Sequence, residues 1–423
     1  MKVDVLVLGG GAAGFFSAIN CSQLRPDLSV AILERGAEVL EKVRISGGGR
    51  CNLTHAVFEP KPLTEYYPRG KRELLGPFHS FMTGDTMQWF ENLGVDLKIE
   101  DDGRVFPVSN SSQTVIDCFL NQAEQLGITI FKKATVLKIE KQGLFWKVTT
   151  KNQSFEARVV IVATGSNPKI LQMLGVMGFD IVPQVPSLFT FNITDTRIKD
   201  LAGLSTDAVV SLLDLDEKYL DVENSAVGKE GARGPVLVTH WGLSGPGILK
   251  LSAWGARSLK NLNYEFKIKI NWLPDFSKQQ VFDLLNRYRL ELAKQNLFKY
   301  TPFTLPKRLW QRLMAAAGIS ETQKWADLTS AEISALSEQL SSGIFRVSGK
   351  STFKEEFVTA GGVDLKEVDF RTYESKKFEG LYLVGEVLNI DAVTGGFNFQ
   401  NAWTGGFIAA RDIAGKLVDV ETS

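Results

Sequence analysis

Cysteine and histidine are scarce in this sequence, which has three of each among 423 residues. The cysteines, Cys21, Cys51 and Cys118, form no Cys-x-x-Cys pair, and this disfavours a catalytic disulfide. Their low, odd number is typical of a reducing compartment without structural disulfides. The histidines have no spacing to Asp, Glu or Cys that indicates metal ligation. We therefore predict no metal site.

Neither sign of charge is in surplus, because 48 Lys and Arg residues balance 48 Asp and Glu residues, and the formal net charge is +0. A neutral chain gives no electrostatic reason to expect a nucleic-acid partner or an anionic membrane surface. Long apolar runs are also missing, since none approaches the ~20 residues of a membrane span. The first apolar run starts too early to follow a signal peptide. We expect a cytoplasmic protein with neither of these partners.

The stretch Val3–Gly14, VDVLVLGGGAAG, is the strongest motif in the chain. A short apolar run predicts a strand buried in a parallel sheet, and Gly9, Gly11 and Gly14 then have the G-x-G-x-x-G spacing of a dinucleotide-binding turn. The helix that follows would direct free N–H groups at a pyrophosphate. Glu34 lies 20 residues after Gly14 (34 − 14), where a carboxylate accepts from adenosine ribose hydroxyls. FAD or NAD fits this pattern better than NADP, and the alternative is an ordinary βαβ unit.

A second glycine-rich stretch, Ser46–Gly49, follows a predicted helix over Ala37–Lys42. Bare backbone N–H groups, the Arg50 guanidinium and the small residues Cys51 and Asn52 are the parts of an anion or cofactor cradle. A flexible linker is the alternative. Within the cradle we interpret Cys51 as a small buried residue against the cofactor, in preference to a redox thiol.

The third motif lies near the C-terminus, where a predicted strand, Leu381–Val384, leads into Gly385 and Glu386. Glycine there lets backbone approach a ribityl-phosphate group, and Asp391 can accept from ribityl hydroxyls. Gly395–Asn398 begins a helix whose N-terminal N–H groups would stabilise negative charge on the pyrimidine edge of a reduced flavin. The alternative is a glycine-capped amphipathic helix.

Three stretches, GGGAAG, KVRISGGGRCNLTH and GEVLNIDAVTGGFNFQNAWTGG, together resemble the bacterial flavoproteins of the BaiN/YhiN family, which are NAD(P)/FAD-dependent or aminoacetone-oxidase-like enzymes. The resemblance covers nearly the whole chain. It implies non-covalent FAD in a glutathione-reductase-like domain. By the same resemblance, Val136 offers its backbone to the adenine, and Ala163-Thr164-Gly165 passes close to the dinucleotide. The sequence departs from the family after Gly165, where most members continue with a Gly-Ser-Thr-Gly-Asp-Gly loop.

The predicted fold class is α/β, a glutathione-reductase-like FAD-binding Rossmann domain with an inserted β-barrel domain and a small helical domain. We expect 423 residues to form more than one core. The predicted domains are residues 1–186 with 358–423 for FAD binding, 187–274 with 341–357 for the barrel, and 275–340 for the helical insert. The predicted cofactor-binding residues are Gly9, Gly11, Ala12, Ala13, Gly14, Glu34, Arg35, Lys42, Gly48, Gly49, Arg50, Cys51, Asn52, Val136, Ala163, Thr164, Gly165, Gly385, Glu386, Asp391, Gly396, Phe397 and Asn398.

The leading functional hypothesis is an FAD-dependent oxidoreductase that moves a hydride through flavin N5. By resemblance this is NAD(P)H-linked reduction of an activated C=C bond in a small organic substrate. No second dinucleotide fingerprint occurs between Ala163 and Gly385, so NAD(P)H would be a transient electron donor at the flavin face. An amine oxidase that uses O2 and a non-catalytic redox-sensing flavoprotein are the alternatives. A flavin-linked RNA-modifying enzyme is disfavoured by the neutral charge and by the small number of basic runs with an exposed pattern. The sequence assigns neither catalytic residues nor an oligomeric state.

Overall fold

A computed structural model describes residues 1–223, 225–351 and 358–417. The chain divides into two compact units, Met1–Gln184 together with Thr359–Ser423, and Val185–Val358. Residues 352–357 of the predicted barrel segment and 418–423 of the predicted FAD-binding domain lie outside the described residues.

The chain contains both strands and helices throughout. The strands are β1 (Lys2–Leu8), β2 (Val30–Leu33), β3 (Thr54–His55), β4 (Leu97–Ile99), β5 (Arg104–Pro107), β6 (Thr129–Phe131), β7 (Val136–Gln142), β8 (Phe145–Thr150), β9 (Ser154–Val162), β10 (Ile181–Pro186), β11 (Thr190–Asn192), β12 (Ser205–Leu213), β13 (Ala232–Val238), β14 (Gly242–Ser244), β15 (Glu265–Asn271), β16 (Gly343–Ser348), β17 (Lys350–Ser351), β18 (Thr359–Val363), β19 (Val368–Asp369), β20 (Glu374–Ser375) and β21 (Leu381–Leu383). The helices are α1 (Ala12–Leu24), α2 (Glu41–Gly49), α3 (Pro60–Thr64), α4 (Lys71–Ser80), α5 (Thr83–Asn92), α6 (Ser112–Gln125), α7 (Pro168–Val176), α8 (Ser225–Glu230), α9 (Pro246–Trp254), α10 (Ala256–Asn261), α11 (Lys278–Glu291), α12 (Lys307–Ala316), α13 (Ser330–Ser341) and α14 (Phe397–Lys416).

The first unit is built around a largely parallel sheet with the order β19-β20-β21-β9-β1-β2-β6, which the β7–β8 hairpin joins through β8 and β9. Strand β1 pairs in parallel with both β2 and β9. Its apolar run is buried because the strand is covered on both faces, as parallel strands usually are. The predicted α/β Rossmann-type fold is confirmed. Two short apolar runs, Phe155–Ala157 and Val159–Val162, are parts of the single strand β9.

The last helix, α14, packs against the first helix, α1, and completes this unit. Gly406 permits the close approach, since a β-carbon there would lie 3.0 Å from Ser17 Oγ. Trp403 packs against Phe16 with ring centroids 5.1 Å apart, and its indole N–H donates to the Leu53 carbonyl oxygen over 2.9 Å. The two ends of the sequence are therefore adjacent in the folded unit.

The second unit contains an antiparallel sheet with the order β16-β15-β12-β13-β14-β11-β17. Phe266, Ile268 and Ile270 alternate to the buried face of β15, as the sequence pattern predicts. The strands at the two ends of this order, β16 and β17, are consecutive in the chain. Between them, Gly349 donates to the Tyr264 carbonyl oxygen and accepts from the Asn192 N–H group. The closed barrel stays a prediction.

Helices α11, α12 and α13 follow β15 in the second unit. Capping side chains begin two of them: Ser277 Oγ accepts from the Gln280 N–H group and Thr329 Oγ1 accepts from the Glu332 N–H group. Buried aromatic side chains hold the helices together, including Trp310 and Trp325, which stack with centroids 6.3 Å apart. Among the described residues, no helix has the length and apolar character needed to cross a membrane.

Candidate cofactor site

The turn after β1 requires glycine at its first and last motif positions. Gly9 has φ +111°, and a β-carbon there would lie 2.8 Å from the Ala163 carbonyl carbon. A β-carbon on Gly14 would overlap the Gly9 carbonyl oxygen. Packing inside the protein therefore explains both glycines. The motif assigns the first glycine to a tight turn and the last to close contact between helix and strand.

Gly11 differs from its neighbours, because nothing lies within 4 Å of the position that its β-carbon would take. Helix α1 begins directly after it with Ala12 and Ala13, and Gly11 supplies no side-chain cap to the helix. The first turn contains no acidic residue that would repel an anion. Open space beside free N–H groups at a helix N-terminus is the arrangement that binds a pyrophosphate.

Glu34 joins two turns of the backbone. Its carboxylate accepts from the Gly10 N–H group over 2.9 Å and from the Gly36 N–H group over 2.6 Å. These two bonds hold the glycine-rich turn against the end of β2. A carboxylate has about four acceptor positions, so capacity for further donors remains. The contact between the Glu34 carboxylate and adenosine ribose hydroxyls stays a prediction.

A cavity of about 380 Å³ opens at the carboxyl ends of β1 and β2. Five of the predicted cofactor residues line it, namely Gly9, Glu34, Arg35, Val136 and Thr164. This volume is within the usual range for small-molecule sites. The buried Thr164 Oγ1 atom has no hydrogen-bond partner in the described part of the protein, as expected of a polar group placed to meet a ligand.

Asn167 and Lys169 also line this cavity, and the sequence analysis did not identify them. They follow Gly165 at the place where the sequence departs from the BaiN/YhiN pattern. Asn167 caps helix α7, because its Oδ1 atom accepts from the Lys169 N–H group over 3.1 Å. The Asn-Pro pair at a helix start was the available signal for this capped turn.

A second group of predicted residues meets beside the start of α1. A β-carbon on Gly385 would lie 3.1 Å from the Ala13 β-carbon, and one on Gly165 would lie 3.5 Å from Glu386 Oε2. Glu386 forms an ion pair with Lys42 over 2.5 Å. Four segments that are distant in sequence therefore converge at the glycine-rich turn.

The cradle at the end of α2 is a series of left-handed glycines. Gly47, Gly48 and Gly49 have φ values of +57°, +69° and +84°, and nothing lies within 4 Å of the β-carbon positions of Gly48 and Gly49. This is a glycine loop with open space above it, as predicted. The predicted helix over Ala37–Lys42 is wrong: the helix begins at Glu41, because Leu40 has φ +60° and interrupts any earlier turn.

The three residues after the cradle have different environments. The Arg50 guanidinium pairs with Glu100 over 2.6 Å and lies 3.9 Å from the centre of the Phe106 ring. Cys51 is fully buried, and burial raises the pKa of its thiol to about 12. Asn52 is buried, and its Oδ1 atom has no hydrogen-bond partner among the described residues. Of the three side chains, Asn52 has a polar atom available for a ligand.

The start of α14 lies against the segment that follows the cradle. Gly396 has φ +94°, and a β-carbon there would lie 2.6 Å from the Thr54 carbonyl oxygen. The His55 Nδ1 atom lies 3.1 Å from the Gly395 carbonyl oxygen, which can only accept, so Nδ1 carries the proton. Burial lowers the pKa of His55 and favours its neutral form. Phe397 stacks on Tyr66 with centroids 4.2 Å apart.

Asp391 and Asn398 are bonded within the protein. Asp391 is fully buried and forms a bidentate pair with Arg69, whose Nε atom donates to Oδ1 over 2.5 Å. The Asn398 amide accepts from the Ala392 N–H group over 3.0 Å and donates to the Ala392 carbonyl oxygen over 3.2 Å. Both side chains thus hold the segment that precedes α14, and their contact with the cofactor stays a prediction. Arg69 was missed by the sequence analysis.

The residues present fit a dinucleotide. Gly11, Gly48 and Gly49 leave space where a side chain would intrude, and Thr164 and Asn52 have buried polar atoms without partners among the described residues. Across the described ranges, no group of three His, Cys, Asp or Glu side chains has the arrangement to hold a metal ion.

The family model for the HI0933-like protein Rossmann domain matches residues 3–412. The chain belongs to the HI0933-like family. Members of this family are FAD-dependent oxidoreductases, and this HI0933-like protein is accordingly an FAD-dependent enzyme.

Two relatives match the HI0933-like chain over nearly their whole length. The ribosomal RNA dihydrouridine synthase of Escherichia coli is 28% identical over 422 residues, which cover 97% of this chain and 98% of the relative. The 3-dehydro-bile acid delta(4,6)-reductase of Clostridium scindens is 27% identical over 416 residues, which cover 96% and 98%. A quinol-fumarate reductase structure shares the fold with a TM-score of 0.50 at 13% identity, covering 100% of this chain and 72% of its own.

Proposed function

We propose that this protein reduces a C=C bond conjugated to a carbonyl group in a small organic substrate, with NAD(P)H as the electron donor. The observation that carries this proposal is the near-full-length similarity to two relatives whose names share one reaction type. Dihydrouridine is uridine with one ring C=C bond saturated beside a carbonyl group. A delta(4,6)-reductase of a 3-dehydro compound saturates C=C bonds conjugated to a ketone.

Bound FAD would supply the hydride from its N5 atom to the electron-poor carbon of such a bond, and a proton from solvent would complete the saturation at the neighbouring carbon. The residues of this chain would bind and orient the cofactor. The N-terminus of α1 at Gly11–Ala13 would hold the pyrophosphate, and Gly48 and Gly49 would let backbone approach the ring system. The N-terminus of α14 at Gly396 would direct N–H groups toward negative charge on the pyrimidine edge.

The protonation state of Cys51 argues against a reaction that uses a thiolate nucleophile. Its burial raises the pKa to about 12, so the side chain is a neutral thiol at physiological pH. Nucleophilic attack and disulfide exchange both need the thiolate form. We therefore assign Cys51 a packing function beside the cradle, and the proposal contains no covalent adduct with the protein.

The test is stopped-flow reoxidation of the reduced enzyme. The FAD-loaded protein is reduced anaerobically with NADH or NADPH and then mixed with 2-cyclohexenone, a 4-ene-3-oxo steroid, uridine, cyclohexanone or dissolved oxygen. We expect at least one conjugated compound to reoxidise the flavin faster than oxygen does, and the saturated ketone cyclohexanone to have no effect. Reduction of the flavin by small amines, followed by reoxidation by oxygen alone, would replace this proposal with the amine-oxidase alternative.

A uracil ring within RNA is the second candidate substrate. It is favoured by the relative named a ribosomal RNA dihydrouridine synthase, which is as similar to this chain as the bile-acid enzyme is. The same mixing experiment with an unmodified ribosomal RNA transcript, followed by nucleoside analysis for dihydrouridine, separates the two substrates.

A further inference from the structure

A buried hydrogen-bond acceptor beside the cradle is unmatched within the described part of the protein. Asn52 is only 8% exposed, and its Oδ1 atom accepts no hydrogen bond from the described residues. A buried acceptor of this kind costs free energy in the folded protein unless a ligand supplies the donor. Asn52 therefore marks a position where a ligand with an N–H or O–H group fits.

The backbone at the end of α2 places Asn52 against the glycine loop. The chain reverses here, because Cys51 has a φ of +60° in addition to the three left-handed glycines before it. A β-carbon on Gly47 would lie 2.8 Å from the Asn52 nitrogen and 3.4 Å from the Asn52 β-carbon. Asn52 thus packs on the loop in which Gly48 and Gly49 have open space at their β-carbon positions.

The two residues after Asn52 connect this loop to α14. The Leu53 carbonyl oxygen accepts from the Trp403 indole N–H group over 2.9 Å. The Thr54 carbonyl oxygen lies 2.6 Å from the position that a β-carbon on Gly396 would take, directly before the helix. Asn52 is therefore held between two glycine-rich elements of the candidate site, the loop at the end of α2 and the N-terminus of α14.

We infer that Asn52 Oδ1 accepts a hydrogen bond from the N3–H group of the flavin ring. The inference rests on the cofactor placement in the proposed function, in which N–H groups of α14 face the pyrimidine edge. That edge presents a carbonyl acceptor, the N3–H donor and a second carbonyl acceptor in a row. Helix N–H groups can bind only the acceptors, so the N3–H donor needs an acceptor from another element. The Asn52 amide supplies that acceptor, and its NH2 group can donate to the carbonyl next to N3–H, as side-chain amides do with nucleobase edges.

The test compares FAD with 3-methyl-FAD, in which a methyl group replaces the N3 hydrogen. Each is titrated into the FAD-free full-length protein, and binding is followed by flavin fluorescence. We expect the wild type to bind 3-methyl-FAD about tenfold more weakly than FAD, because methylation removes the donor and leaves Oδ1 buried without a partner. Asn52→Ala should bind FAD about two- to tenfold more weakly, and its preference for FAD over 3-methyl-FAD should fall below about twofold. Asn52→Asp keeps an acceptor oxygen and should keep the preference.

The matched control is Thr164→Val, which removes another buried polar atom without a partner among the described residues, in the cavity at the ends of β1 and β2. It should change the affinities for both flavins by the same factor. Far-UV circular dichroism establishes that each variant is folded, and the wild type and Asn52→Asp still test the inference if Asn52→Ala does not fold.

Equal binding of the two flavins by the wild type would overturn the inference. So would an undiminished preference in Asn52→Ala, or a lost preference in Asn52→Asp or Thr164→Val. Reoxidation of the reduced enzyme by 2-cyclohexenone is measured separately. If no conjugated compound reoxidises the flavin but the flavin preference depends on Asn52 as expected, only the proposed function fails; if 2-cyclohexenone reacts and the preference does not depend on Asn52, only this inference fails.

Discussion

Replacing Gly11 with alanine separates cofactor binding from folding. Gly11 has φ −96° and ψ −168°, an extended conformation that alanine adopts freely, and nothing lies within 4 Å of the added β-carbon. The apoprotein should therefore keep its stability within about 1 kcal/mol, since a compatible Gly→Ala change mainly reduces the entropy of the unfolded chain. The new methyl group would instead occupy the space assigned to the pyrophosphate.

The expected loss of affinity follows from the hydrogen bonds at the start of α1. Displacing the pyrophosphate from one N–H group removes a bond to a charged acceptor, worth about 1.5–3 kcal/mol. Since 1.4 kcal/mol is a factor of ten, FAD should bind about 10- to 150-fold more weakly. The assay is fluorescence titration of the apoprotein with FAD, with urea unfolding of the same samples.

Two further glycine variants make the experiment decisive. Gly76→Ala on α4 adds a β-carbon to open space, so it should leave FAD affinity unchanged and stabilise the apoprotein by up to about 1 kcal/mol, because alanine favours a helix interior over glycine. Gly14→Ala places a β-carbon into the Gly9 carbonyl group and should destabilise the apoprotein by about 3 kcal/mol, as overpacking does. Unchanged FAD affinity in Gly11→Ala would refute the assignment of this turn to the pyrophosphate.

Three other predictions concern single side chains. Glu34→Gln removes an acceptor from the Gly10 or Gly36 N–H group, so urea unfolding should show a loss of about 1–3 kcal/mol, and unchanged stability would contradict the bridging function. Burial lowers the pKa of His55 in the folded protein, so the unfolded chain takes up the proton first as the pH falls below about 6.5. The free energy of unfolding should therefore decrease in that range. His55→Gln should make the free energy of unfolding less dependent on pH there. Cys51 and the other thiols, all buried, should react with Ellman's reagent after unfolding in guanidinium, and a fast native reaction would contradict their burial.

Local sequence patterns predict much of the first unit. The buried strand β1, the glycine turn and the start of α1 depend on residues within about a dozen positions, and apolar runs and glycine spacing are direct signals for them. The convergence of the three glycine motifs was a conclusion from family resemblance, and local spacing alone would not have supported it.

Contacts between distant residues could not be predicted. Asp391 was predicted to accept from ribityl hydroxyls, and no local pattern indicated that Arg69, 322 residues away in sequence, pairs with it in the core. Arg50 likewise pairs with Glu100 in the turn between β4 and β5, and no local pattern indicates that these two side chains meet. The position of Leu40 in the left-handed region delays the start of α2 and is unusual for a bulky residue.

The expectation of no nucleic-acid partner stays a prediction, because it rests on the net charge alone and on few basic runs. A net charge of +0 is an average over 423 residues, and it is compatible with a basic segment if the rest of the chain is equally acidic. Binding to a polyanion depends on the local field within about a Debye length. Charge in windows of a few tens of residues is therefore the more informative quantity.

The packing of α14 against α1 imposes an order of events during biosynthesis. The ribosome releases α1 early, but the helix that covers it at Ser17 and Phe16, and that supplies Gly396 to the site, emerges only after nearly 400 residues. Until then an apolar helix face stays uncovered while the second unit, Val185–Val358, is translated. We expect the nascent chain to acquire FAD only after synthesis of α14, so premature termination upstream of Phe397 yields a product that chaperones and proteases must handle as an unfinished protein.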